Sequence, residues 1–152
     1  MIIRSLRVNH IENPLGYKMD KPFLSWTAES ETGKKQIAAR VEISLSETFD
    51  SLEFDSGLRA DISPLGYVPE LTFQPRTRYF WRVTVVSDCG ETATSAPAWF
   101  ETGKQGEAWQ AKWIRAPYEN SVHPILKKVF TLKEKPVRAR AYAAGLGVYE
   151  LN

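Results

Sequence analysis

The chain has 152 residues, with 20 Lys plus Arg against 18 Asp plus Glu and a formal charge of +2. Hydrophobic residues at 43% and charged residues at 25% supply a core and exclude a disordered chain. The near-neutral balance argues against a dedicated nucleic-acid binder, and apolar runs of only a few residues exclude a transmembrane helix.

Met1-Ile2-Ile3-Arg4-Ser5 has no charged head followed by an apolar stretch, so no signal peptide is expected. Cys89 is the only cysteine, which removes an intrachain disulfide, a cysteine zinc site and an iron–sulfur cluster. The cytoplasm is the expected compartment.

The dominant period is two. Ser5 to His10 puts Leu6 and Val8 on one face, and Pro22 to Glu29 puts Leu24, Trp26 and Ala28 together. In Gln36 to Ser46, Ile37, Ala39, Val41, Ile43 and Leu45 oppose Ala38, Arg40, Glu42, Ser44 and Ser46. That strict alternation predicts a half-buried antiparallel strand. Ser46 to Phe54 could form one helical turn with Ser46 as its N-cap. Arg78 to Ser87 alternates again, with Tyr79, Trp81, Val83 and Val85 on the apolar face, and Pro97 to Thr102 is a further short strand. Between the runs stand turn residues: Asn13-Pro14-Leu15-Gly16, Glu31-Thr32-Gly33-Lys34, Asp55-Ser56-Gly57, Ser63-Pro64-Leu65-Gly66 and Asp88-Cys89-Gly90. Short strands at regular spacing predict an all-β sandwich or barrel.

A boundary is expected near Gly103-Lys104-Gln105-Gly106-Glu107, dividing the chain into 1–104 and 105–152. Past it, 125–132 and 136–144 have strand patterns, and Val137, Ala139, Ala141 and Ala143 alternate with Arg138, Arg140, Tyr142 and Ala144. The chain stops just after Gly145 and Gly147, as if cut inside a domain. Unpaired strand edges there predict pairing with a second copy (a homodimer or a strand swap through residues 125–144) or packing on the first sandwich.

Leu71, Pro75, Thr77, Tyr79, Trp81 and Val83 are spaced L-x-x-x-P-x-T-x-Y-x-W-x-V. This resembles the E-to-F region of fibronectin type III domains, in which the Tyr forms the tyrosine corner. Pro22-x-Leu24-x-Trp26 is similar to their strand B, and Gly90, Ser95, Pro97, Phe100 and Thr102 to their strand G. A narrower resemblance spans the chain. Asn13-Pro14-Leu15-Gly16, Pro22-Phe23-Leu24-Ser25-Trp26, Asp55-Ser56-Gly57, Arg78-Tyr79-Phe80-Trp81-Arg82-Val83, Phe100-Glu101-Thr102-Gly103, Trp109-Gln110-Ala111-Lys112-Trp113-Ile114 and Leu146-Gly147-Val148-Tyr149-Glu150 follow in the order seen at the start of bacterial α-L-rhamnosidases. The resemblance implies a fibronectin-III/immunoglobulin-like antiparallel sandwich followed by the first strands of a truncated jelly-roll-like β domain. It also implies a catalytic α/α barrel far downstream, so the remaining domains of the parent enzyme are the expected partners. The parent would hydrolyse terminal α-L-rhamnosides by inversion, and this chain would be a non-catalytic accessory module.

An inverting glycosidase needs two carboxylates with room for a water between them. None of the 18 carboxylates sits in a motif resembling the family's catalytic segment, and Glu42, Glu47, Asp50, Glu53, Asp55 and Asp61 read as solvated turn and strand-face charges. His10 and His123 lie in different expected units, and the acidic stretch Asp50 to Asp61 lacks the D-x-D-x-D-G calcium pattern, so no metal site and no cofactor is expected. Cys89 has no basic neighbour in sequence and reads as an incidental turn residue.

Aromatic rings are the remaining ligand-binding feature, because a sugar's C–H face can lie on an exposed ring. Trp26, Tyr79 and Trp81 occupy apolar strand faces and read as core, and Tyr67 is less determined. Trp109, Trp113 and Tyr118 are the candidates for carbohydrate contact, set against packing of the inter-domain segment. Two alternatives belong to other classes: a stand-alone carbohydrate-binding module, and a fibronectin-III protein-interaction domain. The first requires exposed, coplanar aromatics, so the exposure of Trp99, Trp109, Trp113 and Tyr118 discriminates.

Overall fold

The computed structural model describes residues 1–117, 125–146 and 150. The chain divides into two units, Met1–Gln110 and Ala111–Asn152. All secondary structure among the described residues lies in the first, and it is all β.

The strands are β1 (Ile2–Val8), β2 (Leu15–Tyr17), β3 (Leu24–Glu29), β4 (Gln36–Ser44), β5 (Phe54–Asp55), β6 (Arg78–Ser87), β7 (Thr92–Thr94) and β8 (Ala98–Thr102). β1 and β3 pair antiparallel as a small sheet. The larger sheet runs β2-β8-β6-β4-β5, with β7 also on β6. Two sheets facing one another bury the apolar face of each.

β6 meets its expected alternation at every position. Tyr79, Trp81, Val83, Val85 and Ser87 are buried, and the residues between them are half-buried. Across it, β4 turns Ala39, Val41 and Ile43 inward, all fully buried. Ile37 and Leu45 share that face in the pattern but stand 44% and 51% exposed, because they fall at or beyond the sheet's rim. Val8, Leu24 and Trp26 close the core from the small sheet, and Phe73 and Phe100 pack with Tyr79 at centroid distances of 5.0–5.4 Å.

The small sheet stops at two strands where a third would add. Residues 63–73 run beside β3 and exchange Leu24 and Tyr67 backbone bonds of 2.8 Å, and Trp26 N–H donates to the Pro64 carbonyl at 3.1 Å. Pro64 and Pro69 have no N–H to continue a ladder, which leaves a bridge in place of a strand. The β7–β8 break has a similar origin. At Ser95, the Val83 N–H is taken by the Ser95 hydroxyl at 3.1 Å just before Pro97.

The helical turn expected at Ser46 to Phe54 does not form. Phe49 sits in the left-handed region at φ +58°, and Ser44 Oγ donates to the Ser51 carbonyl at 2.7 Å, so the segment folds back as a turn. In the second unit the strands expected at 125–132 and 136–144 are not formed among the described residues. A period-two pattern becomes a strand only against a hydrogen-bonding neighbour, and no ladder is made there. Ile125, Val129, Phe130 and Val137 are exposed.

The tyrosine corner is present. Tyr79 Oη accepts the Gln74 N–H at 2.9 Å, and burial pushes the phenol's pKa up. A raised folded-state pKa stabilises below the unfolded value near ~10 and is lost as pH rises through the folded one. Tyr79→Phe is therefore expected to lower urea-unfolding stability by about 1 kcal/mol and to flatten the loss of stability on the alkaline side. An unchanged urea midpoint would show that the corner contributes nothing.

Candidate functional site

Trp26, Tyr79 and Trp81 are buried in the core, as their strand faces require. Tyr67 is half-buried, tilted against Phe54 at 6.3 Å, and burial raises its phenol pKa. Trp99 lies on β8 with the Arg78 guanidinium 4.1 Å from its ring centroid, which covers one face. Trp109 is 52% exposed near the end of the first unit, with Lys104 Nζ 5.2 Å from its ring centroid. Trp113 is 70% exposed in the second unit. Tyr118 and His123 lie outside the described residues. Trp109 and Trp113 are thus both exposed, one in each unit.

The acidic stretch is engaged locally. Asp50 accepts from the Thr48 hydroxyl. Asp55 takes a forked pair from Arg40 at 2.8 and 2.6 Å, and that hydrogen bonding holds its carboxyl below the usual range. Asp61 is lowered in the same way by Arg59. Asp88 is lowered by the Lys34 N–H, and Glu91 by the Ser30 hydroxyl. Among the described residues no group of three or more His, Cys, Asp or Glu could hold a metal ion, and no helix is long and apolar enough to cross a membrane. Cys89 Sγ lies 3.1 Å from Ser87 Oγ and 3.3 Å from Thr32 Oγ1, contacts that lower the thiol's pKa despite the absence of a basic neighbour.

One expectation fails: Glu42 is 4% exposed and so is not a solvated charge, and Glu101, outside that expectation, is 1% exposed. Both lie on the outer face of the larger sheet. Arg82 grips Glu42 at 2.8 and 3.2 Å, and Arg40 reaches it at 3.3 Å. Phe49 caps the Arg82 guanidinium at 4.4 Å. Arg78 reaches Glu101 at 3.1 Å while stacking on Trp99. A chain of charge thus runs Asp55–Arg40–Glu42–Arg82 across β5, β4 and β6. Glu42 and Asp55 stand directly opposite in register, where like charges repel, and Arg40 between them offsets this. The sequence shows the charges on two alternating strands, but the register that sets Glu42 opposite Arg82 comes only from the fold.

A sandwich that is antiparallel except for the parallel β2–β8 pair, and that carries a tyrosine corner, has the immunoglobulin-like fold of the fibronectin type III kind. The comparisons narrow this. The family model "Rha78A-like, N-terminal immunoglobulin domain" matches residues 3–106, and the chain belongs to that family. A curated alpha-L-rhamnosidase of Streptomyces avermitilis is 38% identical over 131 residues. That match covers 82% of this chain and 13% of the relative. A crystal structure of an S. avermitilis alpha-L-rhamnosidase complexed with L-rhamnose matches at TM-score 0.67 and 36% identity, over 76% of this chain and 12% of that one. A structure of the alpha-L-rhamnosidase from Dictyoglumus thermophilum matches at TM-score 0.68 and 29% identity, over 76% and 14%. The chain therefore spans about one eighth of the length of these relatives.

Two outcomes test the charge pattern. Arg82→Ala removes the forked partner of a buried carboxylate, leaving it only Arg40 at 3.3 Å, and is expected to cost about 2 kcal/mol. The double change Glu42→Leu with Arg82→Leu is expected to recover most of it, because an apolar pair of similar volume replaces a desolvated ion pair. Urea unfolding of the three proteins decides, and a double variant no better than the single would oppose this account. Second, carboxylates with depressed folded pKa values stabilise above their unfolded values near ~4 and lose that contribution as pH falls through the folded ones. Tm is expected to hold from pH 7 to 5 and fall below ~4. Asp55→Asn should reduce the fall.

Proposed function

We propose that this chain is a non-catalytic N-terminal module of an α-L-rhamnosidase-like glycoside hydrolase. The parent hydrolyses terminal α-L-rhamnosides with two carboxylates in an inverting mechanism, and the sandwich supports its downstream domains. The observation that carries this reading is the family match over residues 3–106 together with 38% identity to a rhamnosidase of which the chain spans 13%.

The geometry of the buried acids supports a support role. Glu42 faces Arg82 and Glu101 faces Arg78, four residues apart along β6 and on opposite sides of it. At ~3.3 Å per residue their backbone positions are roughly 13 Å apart along the strand alone. An inverting pair needs about 6.5–9.5 Å between carboxyl groups. Each acid is also paired with an arginine from β6.

The second unit exposes Trp113, Ile114, Ile125, Val129 and Phe130. These are the side chains that further β structure of the parent would cover. A carbohydrate contact is a second reading, favoured by the exposure of Trp109 and Trp113.

The purified chain is expected to release no chromophore from 4-nitrophenyl α-L-rhamnopyranoside above the buffer rate. Turnover that survives repurification would overturn the module reading. In the same preparation, a saturable change in Trp fluorescence with L-rhamnose, abolished by Trp109→Ala or Trp113→Ala, would establish the carbohydrate reading instead.

A further inference from the structure

The chain leaves the sandwich after β8, and residues 103–109 are fastened there by contacts that sheet formation does not require. Gly103 N–H donates to the Tyr17 carbonyl at 2.7 Å, and the Gly103 carbonyl accepts the Arg76 N–H at 2.8 Å. A Cβ on Gly103 would stand 2.3 Å from the Gly16 carbonyl oxygen, so only glycine permits this approach to β2. Two residues on, the Gln105 side chain imitates a strand. Its Oε1 accepts the Met19 N–H at 2.7 Å and its Nε2 donates to the Met19 carbonyl at 2.8 Å. Met19 itself is buried at 1% exposure. Glu107 then pairs with Arg76 at 2.9 Å and Lys104 at 3.7 Å, and Lys104 lies 5.2 Å from the Trp109 ring centroid.

The backbone is bent to make these contacts. Arg76 and Gln105 hold φ at +53° and +48°, in the left-handed region that residues with a Cβ seldom adopt. Gly106 follows at +96°. A flexible tether would have neither a side-chain amide spent on a distant backbone nor two residues held in a disfavoured region.

We propose that residues 103–109 form a rigid exit strut, so that the chain leaves the sandwich from a fixed point on the first unit. Gln105 and Glu107 are its positioning residues. The strut is a property of the first unit alone, whatever reaction the longer protein performs.

Limited trypsin digestion of the full chain tests this, with products identified by intact mass. Lys104 and Lys112 are both trypsin sites on the exit side. Cleavage after Lys112 is expected to outpace cleavage after Lys104 at least about tenfold, the factor that about 1.4 kcal/mol of local opening energy provides. Gln105→Ala and Glu107→Gln are each expected to narrow that ratio while leaving the urea midpoint of the sandwich in place. A structural role in the core would shift the midpoint as well. Equal cleavage at the two sites in the unaltered chain, or an unchanged ratio in both variants, would overturn the strut. If a variant does not fold, the heteronuclear NOE of the unaltered chain decides. Values for 103–109 equal to those of β8 support it, and values falling well below them refute it.

Discussion

β6 is the strand on which everything else in the first unit is assembled. It pairs with β4 on one side and with β7 and β8 on the other, so both neighbours take their register from it. Its period of two then divides the molecule. Tyr79, Trp81, Val83 and Val85 face the small sheet and form the centre of the core. Arg78, Phe80, Arg82 and Thr84 face outward. Because neighbouring strands flank the outward side chains, these arginines are only partly solvated, and each draws a carboxylate from the adjacent strand. The inner and outer faces of the sheet are thus two consequences of one strand's alternation. The Trp81 indole N–H is the exception to good polar pairing: among the described residues it is buried with no partner. That desolvation is a standing cost of placing the largest ring at the centre.

What could be read in advance follows from this division. Alternation is a property of single residues along one strand, so β4, β6 and the Tyr79 corner were visible in the pattern. The burial of Glu42 was not, because it depends on Arg82, forty positions away, and on Phe49 closing over the guanidinium. Ser63-Pro64-Leu65-Gly66 reads as a turn in the sequence, which does not show that the segment would bridge to β3. Pro64 and Pro69 replaced a ladder by two backbone bonds at Tyr67. The Gln105 clamp on Met19 also escaped, since a glutamine after a lysine in a Gly-flanked stretch reads as linker. In the second unit the pattern at 136–144 was legible but is not realised as a strand among the described residues.

On the outer face of the larger sheet, Arg40, Arg82 and Arg78 pair with Asp55, Glu42 and Glu101, and Arg78 lies over Trp99. Trp109 in the first unit and Trp113 in the second are both exposed, as are Tyr17 and Phe130 among the described residues.

Why a sheet should carry desolvated ion pairs at all follows from its register. Slipping β4 by one residue against β6 would turn Ala39, Val41 and Ile43 to the outside, so the hydrophobic pattern already forbids it. A slip of two residues preserves both faces, and the apolar contacts discriminate against it weakly. The ion pairs discriminate strongly. Glu42 faces Arg82 in the observed register; two residues either way it would face Phe80 or Thr84. A carboxylate with 4% exposure would then lose its forked partner. The same holds on the other side of β6, where Arg78 faces Glu101 and a two-residue slip would set it against Trp99 or Gly103. Buried ion pairs contribute little net stability against apolar replacements. Their worth here is that they make the near-degenerate registers expensive, and so hold the Tyr79 corner, the Gly103 approach and the strut beyond it in one alignment.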